Sequence, residues 1–218
     1  MQKNLYILKL KFKGEINMSK ALDMARELVK QLEKAEKKNK VRLSELKPGE
    51  TFKIDKYDFI VLCQDDSSQT TKAISKGFMA ENVMFDRNTK DYNKSNIKKM
   101  IETDIQPIIE NAMGEENLVE HAVNLASVDM QYEYENCICK VRPITFDEAR
   151  KFNNLLVNKN LNNWWWTCTP WSTKERSWEY SIAVVSSSGY VNYDYCNCIY
   201  GVRPFCILKS HIFVEKGE

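Results

Sequence analysis

Hydrophobic and polar positions alternate with a period of two in two parts of the chain. Residues 51–62, T-F-K-I-D-K-Y-D-F-I-V-L, predict two strands joined by a tight D-K turn. From Trp164 onward the chain consists of short β-rich segments separated by proline and glycine, and the S-S-G sequence at 187–189 predicts a hairpin turn with a positive φ. Both regions are therefore expected to form β-sheet.

The helical period of 3.6 residues appears first after Ser19. One predicted face of this segment is apolar at Leu22, Ala25, Val29 and Leu32. It follows a short predicted strand at residues 5–13, so residues 1–40 are expected to form a strand-helix appendage to the main domain. Residues 19–38 are the candidate segment for attachment to an assembly, for self-association, or for packing against the main domain.

Helical periodicity returns in the middle of the chain. Three helices are predicted from it, at residues 95–101, 104–113 and 115–125. Gly114 is expected to end the second of them, and a strand is predicted at 130–142. A further helix is predicted after Thr145, because Thr145 and Glu148 have the spacing of a capping box. Strands on both sides of a helical middle indicate an α+β fold, with the main domain at 41–218.

The composition narrows the function classes. The chain has 218 residues, of which 43% are hydrophobic, and five tryptophans, so it can bury a substantial core. Its formal net charge of +2 gives no reason to expect a phosphate backbone as partner, and nucleic acid binding is not predicted. Lysines near the N-terminus interrupt the apolar run, so we expect no signal peptide and no membrane insertion. Synthesis in the cytoplasm follows from that expectation.

Candidate chemistry in the sequence centres on its seven cysteines, an odd number that favours free thiols. The C-x-C sequences at 137–139 and 196–198 do not have zinc-ligand spacing, and no metal or other cofactor is predicted. Neither offers the neighbouring cation, histidine or helix N-terminus that activates a thiolate. His121, in a predicted helix, and His211, near the C-terminus, lack a nucleophile-acid pattern, so the chain is not expected to be an enzyme.

Tryptophans and arginines of the C-terminal region have predicted structural roles. Trp164 and Trp166 are expected in the core, with Trp165 on the opposite face, where a ligand could contact it. Arg203 is expected to donate hydrogen bonds to buried carbonyl groups. Residues 132–144 repeat both tyrosines, N-C-I and V-R-P of residues 193–205, which predicts two similar strands whose prolines interrupt the ladder.

Three C-terminal sequences resemble those of a known family. They are W-W-W-T-C-T-P-W at 164–171, A-V-V-S-S-S-G-Y-V at 183–191 and Y-G-V-R-P-F-C-I-L at 200–208. They are similar to the W-W-x-R-S-P, V-x-S-x-G-x-V and G-V-R-P sequences of a bacterial and phage domain, although Cys168 stands where that family usually has arginine. The resemblance extends over roughly residues 43–208 and implies a C-type-lectin-like fold.

Such domains are similar to the variable proteins of diversity-generating retroelements, in which reverse transcription mutates template adenines. A-A-C or A-A-T codons diversified in this way never encode Lys, Glu, Gln, Met or Trp. None of these residue types occurs from Tyr180 to Leu208, and every residue from 192 to 199 can be reached by such changes. The resemblance therefore implies a non-enzymatic protein that displays diversified side chains on a fixed scaffold.

The resemblance also implies a set of ligand-contacting residues: Trp171, Ser172, Tyr190, Asn192, Tyr193, Asp194, Tyr195, Cys196, Asn197, Cys198 and Ile199. Tyrosine gives a large contact area at low entropic cost, and small polar residues adapt their hydrogen bonds. The implied partner is a protein or glycan on a cell surface, with receptor binding in a phage virion as one setting. Two alternatives stay open: an enzyme similar to formylglycine-generating oxidases that uses Cys196 and Cys198, and an undiversified phage structural protein.

Overall fold

The computed structural model describes residues 20–30 and 40–217. The chain divides into two units, residues 1–40 and residues 41–218, and each is described by itself. In the first unit, residues 20–30 form helix α1, and all of its side chains are exposed. The predicted strand at residues 5–13 and the position of Leu32 lie outside the described residues.

The second unit combines strands with a smaller number of helices, so the predicted α+β class is confirmed. Its strands are β1 (Lys40–Arg42, which begins in the first unit), β2 (Thr51–Ile54), β3 (Tyr57–Asp65), β4 (Thr70–Ser75), β5 (Ala80–Met84), β6 (His121–Val123), β7 (Cys137–Cys139), β8 (Val141–Pro143), β9 (Trp165–Pro170), β10 (Ser181–Val185), β11 (Val191–Tyr195), β12 (Ile199–Val202), β13 (Pro204–Lys209) and β14 (Phe213–Glu215). Its helices are α2 (Asn96–Met100), which continues through a π-helical turn (Ile101–Ile105) into α3 (Gln106–Met113), then α4 (Phe146–Lys151) and α5 (Asn153–Leu156). Short 3₁₀ turns lie at Leu43–Glu45, Tyr92–Lys94, Glu115–Asn117 and Lys174–Arg176.

Two five-stranded sheets make up most of this unit. One has the strand order β2-β3-β4-β13-β8 and the other β11-β10-β9-β12-β5. Two short pairs, β1-β14 and β6-β7, complete the strands of the described residues. Strand β9 lies in the middle of the second sheet and is buried on both faces, with Trp166 in one hydrophobic cluster and Trp165 in the other. Because β11 is the first strand in the order of the second sheet, its outer edge is unpaired within the described residues.

Both predicted hairpins are confirmed. Strands β2 and β3 pair from Thr51↔Ile60 to Ile54↔Tyr57, which leaves a two-residue turn with Asp55 at a φ of 53°. Strands β10 and β11 pair in register, and Gly189 in their turn has a φ of 80°. A Cβ atom at Gly189 would lie 2.7 Å from Asn153 Oδ1, so this turn needs glycine for space as well as for conformation.

The helix after Thr145 begins as predicted, with Thr145 and Glu148 forming a reciprocal capping box. Gly114, at a φ of 86°, ends α3. The predicted helix at 115–125 is wrong. After a short 3₁₀ turn this segment forms strand β6, which pairs with β7 in a separate two-stranded sheet, so its backbone groups find partners on another strand.

The predicted strand at 130–142 is shorter than expected, since only β7 and β8 form within it. Met130 has a φ of 59° and belongs to a turn in which its N–H donates to the Ser127 carbonyl oxygen at 2.9 Å. The residues from 131 to 136 form no strand. Local alternation of side chains is therefore not enough to extend a strand where no partner strand lies beside it.

Candidate functional site

Strand β11 carries the central part of the predicted contact set. Successive side chains of a strand point to opposite faces, so Tyr193 and Tyr195 share one face while Asn192 and Asp194 share the other. The tyrosine side chains are exposed, at 38% for Tyr193 and 59% for Tyr195. The neighbouring strand β10 is buried throughout, so β11 presents its side chains from a fixed support.

An aromatic cluster covers part of the tyrosine face of β11. It consists of Trp171, Trp178 and Tyr193. The Tyr193 ring centroid lies 5.0 Å from that of Trp171 and 4.6 Å from that of Trp178, and the two indole rings are 6.5 Å apart. Both tryptophans are half-buried. The cluster therefore offers apolar ring faces and polar ring atoms at a surface, a combination that suits binding.

A buried lysine fixes the loop that carries the two tryptophans. The Lys90 side chain has no exposed surface, and its ammonium group donates to the carbonyl oxygens of Ser172 and of Trp178, the latter at 2.7 Å. Its Nζ also lies 3.0 Å from Glu133 Oε2. All three ammonium donors thus have partners, and the Lys90 side chain connects Ser172 with Trp178 in the loop of residues 171–178 that carries both tryptophans.

A carboxylate fixes the same loop from the other side. Asp129 accepts hydrogen bonds from Ser127 Oγ at 2.6 Å, from Ser172 Oγ at 2.7 Å and from the Arg176 guanidinium. Burial acts to raise the pKa of Asp129, but these three hydrogen bonds outweigh it and lower the pKa to about 2. Ser172, predicted as a contact residue, is only 4% exposed, so that prediction is corrected: its hydroxyl anchors the loop.

The opposite face of β11 is used internally. Asp194 accepts hydrogen bonds from the Tyr200 hydroxyl, from Cys198 Sγ at 3.2 Å and from the Tyr195 backbone N–H at 2.7 Å. Burial acts to raise the pKa of Asp194, but these hydrogen bonds hold it below its ordinary value. The Tyr200 ring packs edge-on against Trp166 at 4.9 Å. The hydrogen bonds of Asp194 with Cys198 and Tyr200 therefore connect β11 to the turn that follows it and to β12.

Burial and neighbouring carboxylates disfavour the thiolate form of Cys196 and Cys198. Cys196, predicted as a contact residue, is 1% exposed, which corrects that prediction, and Cys198 is half-buried. Burial, reinforced by the charge of Asp86, raises the pKa of Cys196 to about 11. Burial and the Asp194 carboxylate also raise the pKa of Cys198. Both shifts oppose the thiolate form that the oxidase-like alternative requires.

The prediction for the tryptophan run needs one correction. Trp165, expected on a ligand-accessible face, is fully buried because both faces of β9 are covered, and Trp164 is the half-buried member, with its ring 6.0 Å from that of Tyr190. The prediction for Arg203 is confirmed. Its guanidinium donates to the carbonyl oxygens of Ser75 at 2.9 Å and Leu156 at 2.8 Å, and lies 4.8 Å from the Trp165 ring centroid.

Sequence reasoning missed one feature of the site, a shallow cleft of about 350 Å³ that we call the Arg87 cleft. Its lining residues are Arg87, Asn88, Tyr180, Tyr195, Cys196 and Asn197. Arg87 and Asn88 are far from the C-terminal motifs in sequence, and only the β5–α2 loop brings them there. The D-R-N-T sequence at 86–89 could have indicated a turn, because aspartate favours turns. It could not have indicated which residues contact that turn in the folded protein.

The structure thus divides the predicted contact residues into three groups. Exposed are Tyr190, Tyr193, Tyr195, Asn197 and Ile199; half-buried are Trp171, Asn192, Asp194 and Cys198; buried are Ser172 and Cys196. Contact of the exposed group with a ligand stays a prediction. The exposed group lies along strand β11 and its two flanking turns, and the tryptophans of the aromatic cluster pack against Tyr193 from the loop after β9. Together they form a surface rather than a deep pocket.

Two further features of the described residues concern the requirements of a metal site and of a membrane-spanning helix. Their histidine, cysteine and carboxylate side chains nowhere cluster in a group of three or more that could hold a metal ion. No helix in the same ranges combines the length and the apolar character needed to cross a membrane. Comparison with known proteins gives no match to a family model, a curated protein or a solved structure.

Proposed function

We propose that the unit at 41–218 is a non-enzymatic binding protein of C-type-lectin-like fold, a variable protein of a diversity-generating retroelement or a close relative of one. Its contact surface is the exposed side of β11 and the turn that follows. The observation that carries the proposal is that Tyr193, Tyr195, Asn197 and Ile199 are exposed within a segment whose residue types are all ones that adenine mutagenesis can produce.

The positions of the family-like motifs support this proposal. The W-W-W-T-C-T-P motif supplies β9 in the middle of a sheet, S-S-G supplies the β10–β11 turn, and G-V-R-P links β12 to β13. These motif residues are largely buried, whereas Tyr193, Tyr195, Asn197 and Ile199 of the assigned contact residues are exposed. Substitution at exposed positions usually changes stability by about 0.5 kcal/mol or less, so such a surface tolerates variation.

Preorganisation of the surface gives a second line of support. Lys90 and Asp129 fix the loop that holds Trp171 and Trp178, and β10 supports β11 along its length. A surface that is ordered before binding loses little conformational entropy when a ligand arrives. The partner class that suits such a surface is a protein or glycan on a cell surface, and a phage virion is one setting in which it would act.

The first experiment is to sequence the DNA around the gene. We expect a near-copy of the codons for residues 164–205, located beside a reverse transcriptase gene, whose differences from the gene fall at adenines. A neighbourhood without such a copy would contradict diversification and leave an undiversified relative. The surface would then require a direct screen against cell-surface proteins and glycans.

The second experiment tests the surface itself. The full chain is displayed on yeast as a library randomised at Tyr193, Tyr195, Asn197 and Ile199, and folding is scored by protease resistance. Most members should stay folded, because these side chains are exposed. The matched control randomises four positions of the buried strand β10 and should lose folding in most members. Equal loss in both libraries would contradict a variable surface at β11.

A further inference from the structure

The Arg87 cleft combines one cation with uncharged hydrogen-bonding groups. Arg87 is exposed, and within the described residues its guanidinium has no ion pair or hydrogen bond. Asn88 and Asn197 contribute amides, and Tyr180 and Tyr195, at 43% and 59% exposure, contribute rings with hydroxyl groups. Arg87 is the only charged side chain among the lining residues, so the cleft has a single positive site surrounded by neutral donors and acceptors.

Backbone hydrogen bonds hold the two walls of the cleft together. The Asp86 N–H donates to the Cys196 carbonyl oxygen at 2.9 Å, and the Cys196 N–H donates to the Tyr180 carbonyl oxygen at 2.7 Å. The Cys198 N–H donates to the Tyr195 carbonyl oxygen at 2.9 Å, which closes the turn. The cleft is therefore formed before a ligand binds, and ordering its walls costs little on association.

Neighbouring charges do not neutralise Arg87. Asp86, which is 8% exposed, accepts three backbone N–H groups, from Asn88 at 2.8 Å, Thr89 at 3.2 Å and Asn96 at 3.0 Å. Lys90 is paired with Glu133 beneath the loop. Both charges already have partners inside the protein, whereas the Arg87 guanidinium keeps its five donors for an external group.

We propose that the Arg87 cleft binds an acidic sugar, a terminal uronic or sialic acid residue of a glycan, with its carboxylate on Arg87. This inference rests on the proposed binding function and names the ligand chemistry. Guanidinium groups bind carboxylates through two parallel hydrogen bonds. The amides and the Tyr195 hydroxyl can form hydrogen bonds with the several hydroxyl groups of a sugar, whereas the Tyr180 hydroxyl is already hydrogen-bonded to Glu179. An aspartate or glutamate side chain of a peptide would leave these amides and the Tyr195 hydroxyl without partners. The cleft volume is at the lower end for small-ligand sites.

The two walls of the cleft would have different roles in recognition. Arg87 and Asn88 lie outside the segment that resembles a variable region, so the carboxylate-binding group is constant. Tyr195 and Asn197 lie inside it, so variation would change which sugar ring fits beside the same carboxylate. Substitution of Arg87 should therefore weaken the binding of all acidic sugars, while substitution of Asn197 should change which acidic sugar binds most tightly.

The test is a titration of the full chain with 3′-sialyllactose, trigalacturonic acid, lactose and a glutamate-rich peptide, followed by calorimetry and ligand-observed NMR. We expect one of the acidic sugars to bind and lactose to bind at least about tenfold more weakly, since lactose lacks the carboxylate. Arg87→Gln should weaken the affinity for the acidic sugar by about tenfold or more, and Arg87→Lys should reduce that affinity by an intermediate amount. Arg150→Gln, at an exposed position on α4, is the matched control and should change nothing.

Each contrary result has a defined meaning. Failure of both acidic sugars to bind, or equal binding by wild type and Arg87→Gln, overturns the proposal. Binding of the acidic peptide alone, lost in Arg87→Gln, also overturns it and assigns the cleft to a protein partner. A thermal melt of each variant separates loss of binding from loss of folding. A negative sugar titration does not contradict the proposed function, because the DNA and library experiments test that function without involving Arg87.

Discussion

Residues 132–144 and 193–205 have similar sequences but different structures. In the second segment the two tyrosines belong to strand β11, which pairs with β10, whereas in the first segment Tyr132 and Tyr134 lie outside any strand, ahead of β7. Tyr132 is 71% exposed and has no neighbouring strand to support it. The difference shows that the alternating pattern becomes a rigid surface only where a partner strand is available.

The V-R-P parts of the two segments meet in space. Strand β8 pairs with β13 through Pro143↔Pro204 and Arg142↔Phe205. Pro143 ends its strand and Pro204 begins the next, which agrees with the expected interruption of the ladder. The repeated motif thus supplies two neighbouring strands of one sheet.

The two arginines of this motif satisfy their charge in different ways. Arg142 forms a bidentate pair with Glu148, with both N–O distances at 2.7 Å, and its Nε donates to His121 Nε2 at 3.1 Å. Arg203 has carbonyl oxygens and the Trp165 ring as partners, and burial lowers its pKa to about 10. One arginine is therefore half of an ion pair, and the other is a buried cation held by dipoles.

The largest expected effect is the loss of stability on removal of the Arg142 guanidinium, which should exceed the loss on removal of the Arg203 guanidinium. Arg142→Met should lower the free energy of unfolding by about 3–5 kcal/mol, because it leaves the Glu148 carboxylate without its partner. The double variant Arg142→Met/Glu148→Leu should recover much of this loss. Urea unfolding of the three proteins measures both values, and a double variant as unstable as Arg142→Met would contradict the ion-pair interpretation.

Arg203→Met should have a smaller effect, of about 1–3 kcal/mol, because it leaves two carbonyl oxygens without donors but no unpaired charge. Urea unfolding again provides the measurement. The comparison between the two arginines would fail if Arg203→Met proved more destabilising than Arg142→Met. Arg150→Gln, at an exposed position, serves as the control for loss of a guanidinium charge as such.

The corresponding cysteines of the two segments should differ in thiol reactivity. Cys137 and Cys198 occupy equivalent positions, but a hydrogen bond with Cys139 lowers the pKa of Cys137, whereas burial and Asp194 raise that of Cys198. Iodoacetamide should label Cys198 slowly at neutral pH and faster as the pH rises. It should label Cys137, which is 1% exposed, only after denaturation.

Peptide mass spectrometry resolves the individual cysteines in that experiment. Cys196, with its pKa at about 11, should carry roughly a hundredfold less thiolate at neutral pH than a thiol of ordinary pKa. Rapid labelling of Cys196 or Cys198 at neutral pH would contradict this result and favour the oxidase-like alternative.

The smallest expected effect is a pH dependence from His121 and Glu148, the two hydrogen-bond partners of Arg142, which has no counterpart among the partners of Arg203. Burial and the positive charge of Arg142 lower the pKa of His121 below its ordinary value of 6.5. The unfolded chain then binds the proton more readily, so stability is complete above about pH 6.5 and falls as the pH decreases below it. Glu148, whose pKa is also lowered on folding, adds a further loss below about pH 4.5.

Urea unfolding across this pH range measures the effect, with His121→Gln as the test variant. This variant keeps a hydrogen-bond acceptor for Arg142 but cannot titrate, so it should lose the decrease that begins near pH 6.5. His211→Gln, at an exposed position, is the matched control. An unchanged pH profile in His121→Gln would assign the dependence to other groups.

Several local features could be predicted from the sequence because their causes are local. The β2–β3 turn, the positive φ of Gly189 and the Thr145–Glu148 capping box each depend on a few neighbouring residues. The predicted helix at 115–125 failed for the opposite reason, since pairing of β6 with β7 overrode the helical pattern. The same limit explains Trp165, whose burial depends on elements that cover both faces of β9.

The candidate site divides in the same way. The sequence by itself determined the residue types of the 192–199 segment and their alternation, because the period of a strand is a property of the backbone. Only the tertiary structure decided that Ser172 and Cys196 are buried and that Arg87 lies beside Tyr195 and Asn197. Burial and contact between distant residues arise from packing and strand pairing, which join parts of the chain that no local pattern connects.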